Sequence, residues 1–237
     1  MGVLFWRRKE PETLATQDAY ELWAPGYPPI AHNPLMRAEQ RAVEETLRAL
    51  ESELKLRSAR ALDIGTGSGR YLPILSAAGA THVVGLDFSP AMLARAGAHR
   101  ARICGDARRL PFGRESFDLI NASLMAGDID DLASFVSNVA GVLASGGHFI
   151  YSDFHPTWTA QGWRRTFRTT GGQEIALAYT PHRLDDHRDA IRRAGLRVVA
   201  IREPRLDVNE TGRDVDGFRR QWGDPPVVIV IHATKDR

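Results

Sequence analysis

Ala59-Arg60-Ala61-Leu62-Asp63-Ile64-Gly65-Thr66-Gly67-Ser68-Gly69-Arg70-Tyr71-Leu72 reads as a short apolar strand closing on an acid, a turn with glycine at every second position, and the start of a helix. Glycine suits such a turn because it takes positive φ without steric cost and lets a ligand lie against the backbone. The free N–H groups at the following helix start add a positive field that favours a carboxylate or phosphate. The pattern is G-x-G-x-G, with Arg70 standing where a dinucleotide-binding G-x-G-x-x-G turn carries its third glycine. That departure weighs against NAD.

Downstream of this turn, strands and helices alternate. Strands are expected over 59–64, 82–87, 101–104, 117–122 and 147–154, with helices over 71–78, 90–98 and 132–143. A helix over 184–194 then precedes strands over 196–202 and 227–233. Parallel neighbours need crossover connections, so this alternation buries a mainly parallel sheet between helices. The fold expected is α/β, a Rossmann-like three-layer sandwich with a seven-stranded, mostly parallel sheet. Residues 203–226 read as a loop without a helix, so the last strand enters antiparallel. One segment breaks the alternation: Gly162 to Tyr179 alternates apolar with polar and turns at Gly171-Gly172, a β-hairpin signature. It forms an insertion at about 156–182, over the carboxyl edge of the sheet where open α/β folds bind ligands.

Upstream, residues 1 to about 18 carry no clear period and read as a loosely held start. Tyr20 to Pro29 is aromatic and then proline-broken, so it cannot be one long helix. Asn33 followed by Pro34 reads as an N-cap with proline at the first helical position. Leu35, Ala38, Ala42, Val43, Leu47, Leu50 and Leu54 then recur at helical spacing, giving about 20 residues with one apolar stripe. The chain thus divides into 1–56, an N-terminal extension and lid helix, and 57–237, the main domain with its insertion.

With 237 residues and 43% hydrophobic content, the chain has enough apolar material for one substantial core. The net charge of +2 is too mild to imply nucleic acid or membrane as a partner. The single cysteine, Cys104, excludes an internal disulfide and reads as a small buried group at a strand end. Val3-Leu4-Phe5-Trp6 is followed by Arg7-Arg8-Lys9, the reverse of a secretion signal, and no apolar run reaches the ~20 residues of a membrane span. A cytoplasmic protein is expected.

Four separate segments bring chemistry to the strand ends. Asp63 and the glycines close the first strand, and Asp87, followed by Phe88 and leading to Met92, closes the second. Gly105-Asp106-Ala107 follows the third, and Asn121 ends the fourth. A carboxylate ending the second strand is placed to accept both hydroxyls of a ribose. Polar groups after the third and fourth would flank an adenine. In these four segments the chain resembles the class I S-adenosylmethionine-dependent methyltransferases of small-molecule type, strongly over about 59–155. Leu143 to Ile150 resembles that family's approach to its fifth strand. The resemblance implies S-adenosyl-L-methionine as cofactor, with Gly65, Thr66, Gly67 and Gly69 forming the turn around its methionine end. Asp87 would take the ribose, and Asp106 with Ala107 would bracket the adenine. Tyr20 and Tyr27 look like rings of the family's N-terminal lid, where electron-rich faces beside a sulfonium contribute roughly 0.5–2 kcal/mol.

Methyl transfer is an in-line displacement, so the protein needs to align an acceptor and remove a proton. Candidate bases are Asp153 and His155 after the fifth strand and His182 after the hairpin. No metal site is expected. The acceptor expected is an O or N atom of a small molecule, with no membrane or nucleic-acid partner, and a homodimer is left open. Three alternatives stay open at this point: an RNA methyltransferase, a non-catalytic S-adenosylmethionine-binding protein, and an NAD-dependent oxidoreductase. Against the first, Asn121-Ala122-Ser123-Leu124 lacks the Asn/Asp-Pro-Pro-aromatic run of enzymes that methylate base amines.

Overall fold

The computed structural model describes residues 10–237 except 55–57, 98–100, 159–160, 208 and 210–212. The Val3 to Lys9 run therefore lies outside the described residues. In chain order the elements are β1 (Glu12–Leu14), α1 (Thr16–Trp23), a 3-10 turn (Ala24–Gly26), α2 (Pro34–Leu54), β2 (Ala59–Ile64), α3 (Tyr71–Ala77) and β3 (Ala80–Asp87). Next come α4 (Pro90–Arg95), β4 (Arg102–Cys104), β5 (Phe117–Ala122), a 3-10 turn (Ala126–Asp128), α5 (Leu132–Val142) and β6 (Leu143–Phe154). The chain ends with β7 (Thr166–Arg168), β8 (Glu174–Leu177), α6 (Leu184–Arg193), β9 (Leu196–Arg202), α7 (Arg213–Trp222) and β10 (Val228–Lys235).

The main sheet has seven strands in the order β4-β3-β2-β5-β6-β10-β9. β4, β3, β2, β5 and β6 run parallel, and β10 enters antiparallel between β6 and β9. Period-two alternation sends Leu62, Ile64, Ile120, Phe149 and Tyr151 into one core with Phe135, Val136 and Val139 of α5 and Ile191 of α6. Ala61, Leu119, Ile150, Val228 and Val230 face a second core with Val43, Leu47 and Leu50 of α2 and Leu75 of α3. Helices cover both faces, which is why these strands read as nearly continuous apolar runs.

Local chemistry sets the helix starts. Asn33 Oδ1 accepts the Met36 N–H at 2.8 Å ahead of Pro34, so α2 begins where the N-cap reading puts it. Ser89 Oγ accepts the Met92 N–H at 3.1 Å and starts α4, and Asp131 Oδ1 accepts the Ser134 N–H at 2.9 Å and starts α5. The hairpin forms with Thr166 opposite Ala176, and Gly172 turns at φ 82°.

Four expectations need correction. Residues 10–18 are not loose: β1 pairs in parallel with β8 to make a three-stranded side sheet, β1-β8-β7, and α1 starts at Thr16. Three residues held by a partner some 160 positions away have no local period to betray them. The 203–226 connection contains a helix, α7; Val215, Phe218 and Trp222 give it an apolar stripe that Gly217 obscures. Cys104 is exposed rather than buried, because β4 is the sheet edge. β3 and β6 also start earlier, at Ala80 and Leu143, with the pairing slipping at Ala59/Arg60 and Phe117/Leu119.

Candidate active site

The chain winds outward from β2 through β3 to β4, then crosses back to β5 and β6. Above the carboxyl ends of the strands, at this switch of direction, lies a cavity of ≈ 590 Å³, within the ~300–1,000 Å³ of ligand clefts. The turn after β2 forms its floor. Gly65, Gly67 and Gly69 hold φ of 67°, 54° and 83°, the left-handed region that only glycine enters freely. A Cβ at Gly65 or Gly67 would meet the Met125 or Met92 side chain at 3.1 Å, whereas one at Gly69 would press on Ala96 of the α4 end. Gly65, Thr66 and Gly67 line the cavity, and Gly69 serves the packing behind it.

Asp63 and Asn121 also stand behind the rim. Asp63 accepts from Thr66 Oγ1 at 2.6 Å and from Asn121 Nδ2 at 2.8 Å, tying the turn to β5. Burial pushes the Asp63 carboxyl up to about 6, against the pull of those two donors. Asp87 does face the cavity. Its Oδ2 accepts the Gly67 N–H at 2.8 Å and its Oδ1 the Ser89 N–H at 2.9 Å. Burial raises it to about 6, opposed by those same N–H groups. Phe88, Met92, Asp106 and Ala107 complete this side. Asp106 is held below its ordinary value by hydrogen bonds from the Arg108 guanidinium, at 2.8–3.0 Å.

Tyr20 and Tyr27 close the cavity from above. Trp23 of α1 stacks on Phe167 of β7 with centroids 4.7 Å apart and meets Tyr27 edge-on at 4.8 Å. Glu21 Oε1 accepts from Ser89 Oγ at 2.7 Å, and Ser68 Oγ donates to the Pro28 carbonyl at 3.1 Å, so the cover is pinned to the α4 start and to the glycine turn. Between cover and floor sits a buried ion pair: Arg165 Nη1 is 2.9 Å from Asp128 Oδ1, and both side chains are more than nine-tenths buried. Tyr20 Oη donates to Asp128 Oδ2 at 3.2 Å and accepts from Arg165 Nη2. Burial raises Asp128 although Arg165 opposes it, and burial raises Tyr20 well above the usual phenol range. Burial alone would lower Arg165, but Asp128 and the tyrosines more than reverse it.

The three candidate bases do not line the cavity. His155 Nε2 pairs with Glu203 at 2.8 Å, and His182 Nε2 with the Ile129 carbonyl at 2.7 Å. Asp153 is buried behind Phe154, accepts the Phe154 N–H at 2.8 Å, and is pushed up to about 7 by burial. Three residues that the motifs did not single out matter instead. Arg165 shares the inner hairpin face with Trp163 and Phe167, a charge in an apolar alternation. Asp128 closes the turn after β5. Glu39 interrupts the α2 stripe, wholly buried, and its carboxylate accepts from Arg70 Nη1 at 3.0 Å, Tyr71 Oη at 2.7 Å and Ser152 Oγ at 2.8 Å. A charged residue inside an apolar pattern is the signal that marks Glu39 and Arg165.

No group of three or more His, Cys, Asp or Glu suited to a metal occurs among the described residues, and no described helix is long and apolar enough to cross a membrane. The profile of the family described as "Methyltransferase domain" matches residues 62–151. A malonyl-[acyl-carrier protein] O-methyltransferase of Methylococcus capsulatus is 32% identical over 153 residues, 62% of this chain and 55% of that protein. An uncharacterized methyltransferase of Synechocystis sp. is 39% identical over 101 residues, 40% of this chain and 47% of that one. The chain thus spans about half the length of these curated relatives. An S-adenosylmethionine-dependent methyltransferase structure from Mesorhizobium loti superposes with a TM-score of 0.59 at 24% identity, covering 80% of this chain and 95% of that one. The fold, the glycine turn and these matches agree: residues 62–151 are similar to a methyltransferase domain, on a fold shared with S-adenosylmethionine-dependent methyltransferases.

Proposed function

We propose that the protein transfers a methyl group from S-adenosylmethionine to an oxygen or nitrogen atom of a small molecule. One observation carries this reading: the glycine turn, Asp87, the Asp106-Ala107 segment and two lid tyrosines, drawn from distant parts of the chain, line one covered cavity. These residues fit the cofactor. The turn at Gly65 and Gly67 requires glycine, both for its positive φ and because a Cβ would press on Met125 or Met92 at 3.1 Å, and its backbone is left lining the cavity. Asp87 presents a carboxylate beside it, and Tyr20, Tyr27 and Phe88 line the cavity with aromatic rings, whose electron-rich faces attract a cation.

When bound, the cofactor supplies a methyl group already activated by its sulfonium. The chain's own work is then to hold and orient. Gly65 and Gly67 take the amino-acid end, Asp87 the ribose hydroxyls, and Phe88, Met92, Asp106 and Ala107 the adenine. The lid of α1, Tyr27 and the hairpin excludes water; α1 and Tyr27 belong to the N-terminal extension of residues 1–56, and the hairpin to the insertion in the main domain of residues 57–237. Calorimetry with S-adenosylmethionine, followed by transfer of a tritiated methyl group to candidate acceptors, tests the reading. Binding with turnover supports it; binding to NAD and not to S-adenosylmethionine overturns it.

A further inference from the structure

Beyond the cofactor residues the same cavity continues into a chamber walled by Met36, Phe154, Trp163, Leu206, Phe218 and Val227. Met36, Phe154, Leu206 and Val227 are buried, and Trp163 and Phe218 are packed against the same core. Phe154 and Trp163 meet with centroids 4.7 Å apart and planes tilted by 41°, and Phe218 reaches the chamber from α7. Where the chamber meets the cofactor end stands the Tyr20, Asp128 and Arg165 cluster. The Arg165 guanidinium carbon lies 5.3 Å from the centroids of both the Tyr20 and Phe154 rings, bridging lid and chamber.

Charge decides what this space accepts. Arg70, Arg108 and Arg165 line the cavity, and each is already paired: with Glu39 at 3.0 Å, with Asp106 at 2.8 Å and with Asp128 at 2.9 Å. Each arginine's charge is thus balanced by a carboxylate, and Asp87 adds another, so the described lining offers no surplus positive charge to a carboxylate or phosphate of an acceptor. An anion placed there would lose its hydration without gaining an uncompensated cation. An apolar or aromatic body, by contrast, gains burial against rings that are already packed on one another. Asp128 has three donor contacts, from Arg165 Nη1 to both oxygens and from Tyr20 Oη, while a carboxylate offers about four acceptor positions. One position remains for a donor on a ligand.

We propose that the acceptor is a neutral, largely apolar ring compound carrying one hydroxyl, its body in the chamber and its hydroxyl directed to Asp128. The proposal rests on the methyltransferase reading. Its test is binding rather than turnover: calorimetry of 2-naphthol, 2-naphthoate and adenosine against the protein saturated with S-adenosylhomocysteine. The expected order is 2-naphthol tightest, with 2-naphthoate and adenosine at least tenfold weaker. Leu206→Phe, which narrows the chamber, and Phe218→Ala, which removes a wall, should each weaken 2-naphthol about tenfold and leave S-adenosylhomocysteine affinity unchanged. Equal or tighter binding of 2-naphthoate, or 2-naphthol affinity indifferent to both substitutions, overturns the acceptor class while the methyltransferase reading stands. Failure of S-adenosylhomocysteine to bind overturns both.

Discussion

At the scale of single residues, Asp87 carries the sharpest consequences. In the proposed function it binds the ribose as a carboxylate, yet burial has raised it to about 6. Cofactor affinity should therefore weaken as pH falls through about 6, and Asp87→Asn should weaken it at pH 7.5 and abolish that pH dependence, both read by calorimetry. Stability runs the opposite way. A carboxyl raised in the folded state contributes stability that is full below its ordinary 3.8 and lost as pH rises through about 6. Urea unfolding should show Asp87→Asn gaining on the wild type between pH 4 and pH 7; a constant difference would show that Asp87 does not titrate in this window. Asp87 at the strand end was legible in the sequence because its place follows from the β-α alternation alone. Asp128 was not, since its importance comes from Arg165, 37 positions away, and Tyr20, 108 positions away.

At the scale of elements, the lid is the part held least by the main sheet. α1 has a single buried residue, Ala19, and depends on the side sheet and on Trp23 between Phe167 and Tyr27. Each aromatic contact contributes roughly 0.5–1.5 kcal/mol beyond its burial. Trp23→Ala should loosen the lid: cleavage by a protease between residues 10 and 27 rises, cofactor affinity falls about tenfold, and the far-ultraviolet signal of the main sheet is preserved. Loss of the whole fold would mean that lid and sheet are one cooperative unit. The hairpin was foreseeable from Gly171-Gly172 and flanking alternation, because a tight turn dictates its own residues. β1 was not, because a three-residue parallel strand has no turn of its own.

For the whole molecule, two sets of buried groups set opposing pH trends. Asp63 and Asp87 are raised to about 6 and Asp153 to about 7, so their stability drains away as pH rises. His187 and His232 are lowered from 6.5 to about 4, by burial first and then by His182 and His148. Their contribution is present above 6.5 and lost as pH falls toward 4. The balance should leave the wild-type stability comparatively flat between pH 4.5 and 6.5. His232→Gln keeps a side-chain partner for His148, whose Nδ1 lies 2.8 Å from His232 Nε2, but cannot titrate. Relative to wild type it should become steadily more stable as pH drops from 6.5 to 4.5 in urea unfolding; a parallel curve would refute a lowered His232.

The amino-acid sequence by itself determined the β-α alternation, the glycine turn and the acids at the strand ends. These are local requirements: positive φ at Gly65 and Gly67, a period of two in the strands, and side-chain caps at the helix starts. Only the tertiary structure decided which charges are neutralised and what closes the cavity. Arg165 meets Tyr20 across 145 residues, Glu39 meets Ser152 across 113, and α7 brings Phe218 to the chamber wall. Such pairings leave no repeating pattern along the chain, because their energy depends on burial and distance, which exist only once the sheet has formed.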